Sequence, residues 1–212
     1  MQRILIVGAG GFGREVLQWA RAAWVNHASL IAGFLSADAD TPSKTGRPLP
    51  IIADPAAFEP RPGDALVLAI GIPGVRRRVA EDLLARGAEF LTLVHPTAIV
   101  CAMETVGAGS VLCPGAIVSD SARLGRFCLV NYQASLAHDA SAGDFSVLSP
   151  YAALAGGASI ATDVFLGLHA SVGPGVRVGA RSKVAANSCA LVDVPADVLV
   201  HGVPGRVSPL LA

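Results

Sequence analysis

Between Val94 and Ala190 every sixth position is aliphatic, running through Val94, Val100, Val106, Leu112, Val118, Leu124 and Val130 to Val184 and Ala190 without a slip. Four residues after each comes a second slot of small residues, such as Ala98, Ala116, Ala122, Cys128, Ala134 and Ala140, with Glu104 the one misfit. A helix repeats every 3.6 residues and a strand alternates every two, so neither explains a period of six. A parallel β-helix does: each hexad forms one flat side of a stacked coil, the aliphatic fills the interior and the small residue fits the corner. With three hexads to a coil, residues eighteen apart stack at roughly 4.8 Å. The seventeen hexads make a little under six coils. A prism with flat sides packs well against copies of itself, and a three-fold ring closes such packing.

Residues 1–93 follow other rules. Arg3 to Val7 reads as a short apolar strand that runs into Gly8-Ala9-Gly10-Gly11-Phe12-Gly13, and a helix follows from Arg14 to about Trp24. Leu30–Leu35, Ala65–Ile70 and Phe90–Val94 read as further strands, and Gly74–Arg86 as an amphipathic helix. The Pro-rich stretch from Thr41 to Pro62 reads mostly as loop. Strands alternating with helices predict a small Rossmann-like parallel sheet. The period switches at His95-Pro96, which divides the chain into an α/β domain at 1–93 and a parallel β-helix domain at 94–212. Past Ala190 the hexads fade into a tail expected to cap the last coil, whose open edge would otherwise pair with other chains.

Composition narrows the function. Aromatics make up only 5%, as a narrow lumen packed with small aliphatics requires. A mean hydropathy of +0.55 is high, yet no apolar run approaches the roughly 20 residues of a membrane span. The surplus apolar surface is therefore expected between subunits. Zero formal charge gives no basic footprint for nucleic acid. The N-terminus lacks the apolar core of a signal peptide, and the four cysteines form no C-x-x-C pair. They read as small buried fillers in a reducing compartment, and the protein as cytoplasmic.

Of the five histidines, His138 stands out. It lies outside both interior slots, with Asp120 one coil below and Gly156 one coil above. A histidine over a carboxylate, with an empty side-chain position above it, has the makings of a base with room for a ligand. The ordinary imidazole pKa of about 6.5 suits proton abstraction at neutral pH. His169 stacks between Tyr151 and Asn187, and reads as a surface or subunit contact; His95 is a junction residue. No close histidine pair supports zinc, so no metal is expected. Gly8, Gly10 and Gly13 match G-x-G-x-x-G between a strand and a helix, where bare glycines let a phosphate approach backbone amides. Asp38, after the second strand, is a candidate to accept a ribose hydroxyl, and Ser36 is equally near the end of that strand. A nicotinamide oxidoreductase is one reading of this turn, but four strands lack the second nucleotide-binding half.

Taken together, Ile4 to Val16 with its glycine run, His95-Pro96-Thr97-Ala98, Ala137-His138-Asp139, Leu154-Ala155-Gly156-Gly157, Gly173 to Gly179 and Gly202-Val203-Pro204-Gly205-Arg206 resemble the sugar O-acyltransferases of the sialic acid O-acetyltransferase (NeuD) type, within the hexapeptide-repeat acyltransferases. The resemblance spans nearly the whole chain. It implies a left-handed β-helix, a homotrimer with an acetyl-CoA site between neighbouring subunits, and an N-terminal domain holding the sugar or nucleotide sugar at Gly8, Gly10, Gly11, Phe12, Gly13 and Asp38. It further implies that His138 is the general base, that Asp139 is its acidic neighbour, that Asn131 is polar in the same pocket, and that Gly156 and Gly167, with His138, border the pantetheine arm. Whether Asp139 or Asp120 orients the ring is open at this stage. The expected function is transfer of an acetyl group from acetyl-CoA to a hydroxyl or amine of a sugar or nucleotide sugar, by direct attack in a ternary complex. The alternative is a non-catalytic trimeric scaffold carrying a nucleotide-sensing domain.

Overall fold

The structure, a computed structural model, describes residues 2–37 and 49–210. Its first part is built on β1 (Arg3–Val7), β2 (Ile31–Leu35), β3 (Ile51–Ala53) and β4 (Asp64–Leu68), with helices α1 (Gly11–Ala23) and α2 (Pro73–Ala85). The sheet is parallel throughout, in the order β3-β2-β1-β4. Ile4, Leu5, Ile6 and Val7 are all fully buried, because a central parallel strand is covered on both faces and so reads as an unbroken apolar run.

The hexads form a parallel β-helix. Each aliphatic slot closes a two-residue strand, as in Leu129–Val130, Ser135–Leu136 and Ser141–Ala142, and each strand pairs with the one eighteen residues on. The small slots fall inside the lumen, where Ala116, Ala122, Cys128, Ala134 and Ala140 are inaccessible to solvent. From Gly109 to Asn187 every sixth residue has φ between 54° and 73°. These left-handed residues make the corners, and ten of them are not glycine. Such a conformation costs an ordinary residue roughly 1–2 kcal/mol, so the stacked coils must hold it in place. A terminal hairpin, Val198–His201 with Arg206–Pro209, pairs onto Lys183–Val184 and covers the end of one sheet.

The two parts share their cores. One cluster joins Ile4, Ile6, Val16 and Leu17 to Leu93, Val111, Leu129 and Val147 on an outer side of the coils. A second joins Leu5, Val7, Leu66 and Leu83 to Phe127 and Phe145, two corner residues.

Three expectations need correction, and the Glu104 misfit has its explanation. The strand expected at Phe90–Val94 is divided: Phe90 makes a single parallel bridge to Leu66, whereas Leu93–Val94 already pairs with Val111–Leu112 as the first rung of the coils. Ile51–Ala53, inside the stretch read as loop, is an edge strand too short to show alternation. Glu104 lies in a 3₁₀ turn, Met103–Thr105, that replaces one corner and leaves it exposed. Cys101 is exposed and Cys189 half-buried, since both sit in outward slots on an uncovered side; Cys113, also outward, is buried under the α/β part. Among the described residues no helix is long and apolar enough to cross a membrane.

Candidate active site

His138 follows the strand Ser135–Leu136 and precedes a corner at Asp139, whose φ is 61°. Adjacent residues in an extended chain point to opposite faces, but the left-handed turn brings these two side chains together. The Nδ1–H of His138 donates to Asp139 Oδ2 at 2.8 Å. The backbone fixes the pair from both neighbouring coils: Asp139 N–H donates to the Asp120 carbonyl, and Gly157 N–H to that of His138. Among the described residues the Asp120 carboxylate meets only the Ser121 hydroxyl, at 3.4 Å. Asp139 is therefore the carboxylate that holds the ring, through Nδ1, with Nε2 on its other side. Both side chains are about two-thirds exposed in the single chain, at 70% and 66%.

Gly156 lies directly above the ring. A Cβ there would stand 2.6 Å from both Cε1 and Nε2 of His138. Further up the same corner, Gly157 and Gly175 have no side chains either. This edge of the prism is thus bare one coil above the imidazole, at 156 and 157; two coils above, Gly175 is bare and Pro174 stands in the His138 column.

Asn131 stands one corner earlier in the same coil, with its Oδ1 accepting from Tyr132 N–H at 2.8 Å. The flat side Ser135–Leu136 separates it from His138, so one chain does not bring the two together. Beside Asn131 rises an aromatic column. Tyr132 meets Tyr151 edge-on at 6.1 Å, and Tyr151 stacks on His169 at 4.7 Å. Gly167 has a packing reason of its own, since a Cβ would lie 2.6 Å from Ala186 N in the next coil. His95 bonds Thr97 Oγ1 at 2.8 Å, and burial lowers its pKa.

The glycine-rich turn divides by role. Gly8 has φ 113°, and a Cβ on it would meet the Ala69 carbonyl oxygen at 2.5 Å; one on Gly13 would strike the Gly8 carbonyl. Gly10 and Gly11 face open space at the start of α1, where no side chain caps the free amides. Gly8 and Gly10 border a cavity of about 540 Å³ at the carboxyl ends of the strands, whereas Gly11, Phe12 and Gly13 do not. The Phe12 ring packs edge-on against Trp19 at 5.9 Å. Asp38 lies outside the described residues. The sequence reading missed the charged wall of this cavity, formed by Asp54 and by Arg78, Asp82 and Arg86 of α2 and its end. Their stripe at helical spacing was the available signal. Arg86 is held by the carbonyls of Pro55 and Phe58, and Asp54 by Ala56 N–H. Arg78 has no hydrogen bond or ion pair among the described residues. Nor, among these, do three or more His, Cys, Asp or Glu gather where they could hold a metal ion.

Comparison with known proteins adds to this geometry. The PglD N-terminal domain family matches residues 3–83. The chain is 27% identical over 144 residues to the GDP-perosamine N-acetyltransferase of Escherichia coli O157:H7, a match covering 66% of this chain and 65% of that protein, a little under two thirds of its length. It is 34% identical over 117 residues to the UDP-N-acetylbacillosamine N-acetyltransferase of Bacillus subtilis (strain 168), covering 53% of this chain and 51% of that one. The crystal structure of PerB from Caulobacter crescentus, in complex with CoA and GDP-perosamine, is similar over 97% of both chains, with 29% identity and a TM-score of 0.85.

Proposed function

We propose that this chain is an acetyl-CoA-dependent N-acetyltransferase acting on the amino group of a nucleotide-linked sugar, with His138 as general base. The observation that carries the reading is the His138–Asp139 pair beneath a bare glycine edge. The nucleotide-sized cavity at Gly8 and Gly10 supports it, as does the likeness to N-acetyltransferases of GDP- and UDP-linked sugars. Asp139 holds Nδ1–H, and Nε2 takes the proton of the acceptor amine as its nitrogen attacks the thioester carbonyl. The C–N bond forms, the C–S bond breaks, and the proton passes from His138 to the departing CoA sulfur. The Gly156 N–H, which among the described residues donates to no backbone carbonyl, stabilises the oxyanion. No protein nucleophile is used; burial pushes the Cys128 thiol up to about 12 and that of Cys113 well above its ordinary value.

The site is completed by a homotrimer. Three prisms that turn the Ser135–Leu136 side toward a common axis bring the Asn131 corner of each chain to the His138 corner of the next. The hydroxyl acceptor of the sialic acid O-acetyltransferases is the second acceptor chemistry, and a cytoplasmic location accompanies both. In the nucleotide cavity Gly8, Gly10 and Arg78 face the diphosphate.

The test is release of free CoA thiol from acetyl-CoA with GDP- or UDP-linked amino sugars and with unlinked sialic acid. Turnover with a nucleotide-linked amine is the expected result, and turnover with sialic acid alone would move the acceptor to oxygen. Thermal stability gives an independent check: acetyl-CoA at about 100 times Kd should add roughly 2.7 kcal/mol, and NADH nothing. No shift and no thiol release would leave the coils as a scaffold.

A further inference from the structure

Helix α2 has two working faces. Val75, Arg78, Val79 and Asp82 line the cavity beside Gly8 and Gly10. Arg76 and Arg77 reach to the coils instead. Arg76 is fully buried and, among the described residues, has no carboxylate partner. Its guanidinium donates to four carbonyls drawn from both parts of the molecule: Leu68 (3.1 Å) and Ile70 (2.8 Å) at the end of β4, and Phe127 (2.6 Å) and Cys128 (3.1 Å) at a coil corner. Burial lowers its pKa to about 10, which still leaves it charged at neutral pH. Arg77 grips two coils higher on the same corner. Its Nε lies 2.9 Å from each oxygen of Asp163, its Nη2 2.8 Å from Oδ2, and its guanidinium 4.2 Å over the Phe145 ring. Phe127, Phe145 and Asp163 are left-handed corner residues eighteen apart, so the helix is pinned along one edge of the prism.

We infer that Arg76, and the Arg77–Asp163 pair above it, are positioning residues for acetyl transfer: they fix the cavity that holds the nucleotide at one distance and angle from the coil bearing His138. This rests on the acetyltransferase reading. The wall of the cavity and the clamp on the coil are the same helix, and Arg76 grips the coil on which His138 lies eleven residues further along. A hydrophobic seam alone permits small slides, whereas bidentate and multi-carbonyl contacts of a planar guanidinium have one geometry. Misplacement of a reacting atom by about 1 Å costs up to about 100-fold in rate even when binding is intact.

The test uses the full chain with Arg77→Met and Asp163→Asn, which alter a partly buried pair rather than the fully buried Arg76, and Glu81→Gln as a control. Glu81 meets Arg77 within the helix, at 3.1 Å, and among the described residues makes no hydrogen bond or ion pair to the coils. Expected is a fall in kcat of about 10- to 100-fold in both variants, with KM for the nucleotide sugar and for acetyl-CoA within about twofold of wild type, and no change in Glu81→Gln. The double variant should lose no more than either single one, because both break one contact. Unchanged kcat would overturn the inference, as would a rise in the nucleotide-sugar KM matching the loss, which would mean damage to the cavity itself. Wild-type protein that transfers acetyl to no nucleotide sugar would overturn the acetyltransferase reading, and this inference with it.

Discussion

A methyl group added at Gly156 would sit 2.6 Å from two atoms of the His138 ring, well inside contact distance, while the backbone at 156 lies outside the left-handed region. Gly156→Ala should therefore fold normally, turn the imidazole aside and lower kcat by about 10- to 100-fold, with little change in melting temperature. Gly175→Ala should do the reverse. It has open space but φ of 68°, so it should cost about 1–2 kcal/mol of stability, read as a lower melting temperature with kcat preserved unless the thioester arm touches it. His138→Ala should cut kcat roughly 10²- to 10⁴-fold with the KM for acetyl-CoA little changed. The position of His138 and the empty slot above it were legible in the sequence, because a lattice of period eighteen stacks named residues without further information. Its carboxylate partner was not, because strand geometry sends neighbouring side chains apart; only the left-handed φ at Asp139 reverses that. Arg78 was hidden for a related reason: a helical stripe shows which residues share a face, not what that face looks toward.

At the scale of elements, β1 and β4 are joined by more than their ladder. Arg3 and Asp64 are register partners on the two strands, and the guanidinium donates to both carboxylate oxygens at 2.8 and 2.7 Å. The Asp64 side chain is nearly buried, and the hydrogen bonds from Arg3 hold its carboxyl below the usual carboxylate range. A carboxyl with a lowered folded-state pKa contributes its full stability above its unfolded value of about 3.9 and loses it as pH falls through the lower folded value. The stability gap between wild type and Asp64→Asn should thus be flat from neutrality to about pH 5 and narrow in more acidic solution, as followed by denaturant midpoints. Elements with strong periodicity were legible here, β1 and the hexad strands above all. Phe90–Val94 was not, since one apolar run feeds two different sheets and periodicity carries no sign of the handover at Leu93. Ile51–Ala53 has only three residues, and pairing with β2 rather than pattern makes it a strand.

For the whole molecule, one of the three sides of the prism is covered by the α/β part, through Leu93, Val111, Leu129 and Val147. The side carrying Ser135–Leu136 is open and presents small or apolar groups, among them Ile99 at 58% exposure, Ile117, Ala153 and Ser171. Light scattering should give three times the 21.5 kDa chain mass, and Ile99→Asp with Ile117→Asp should dissociate the assembly and abolish acetyl transfer together. A fully active monomer would sink the shared site. The eighteen-residue register also acts as a ruler on how such a chain can change in length. Six residues inserted between Asp139 and Gly156 would turn every later hexad through one side of the triangle and set another residue over the imidazole. Eighteen residues copied in after Gly175 would add a storey and leave the floor below as it was. Growth by whole coils is neutral for the chemistry, so a gene of this kind can lengthen in steps of fifty-four nucleotides while its reaction centre stays in place.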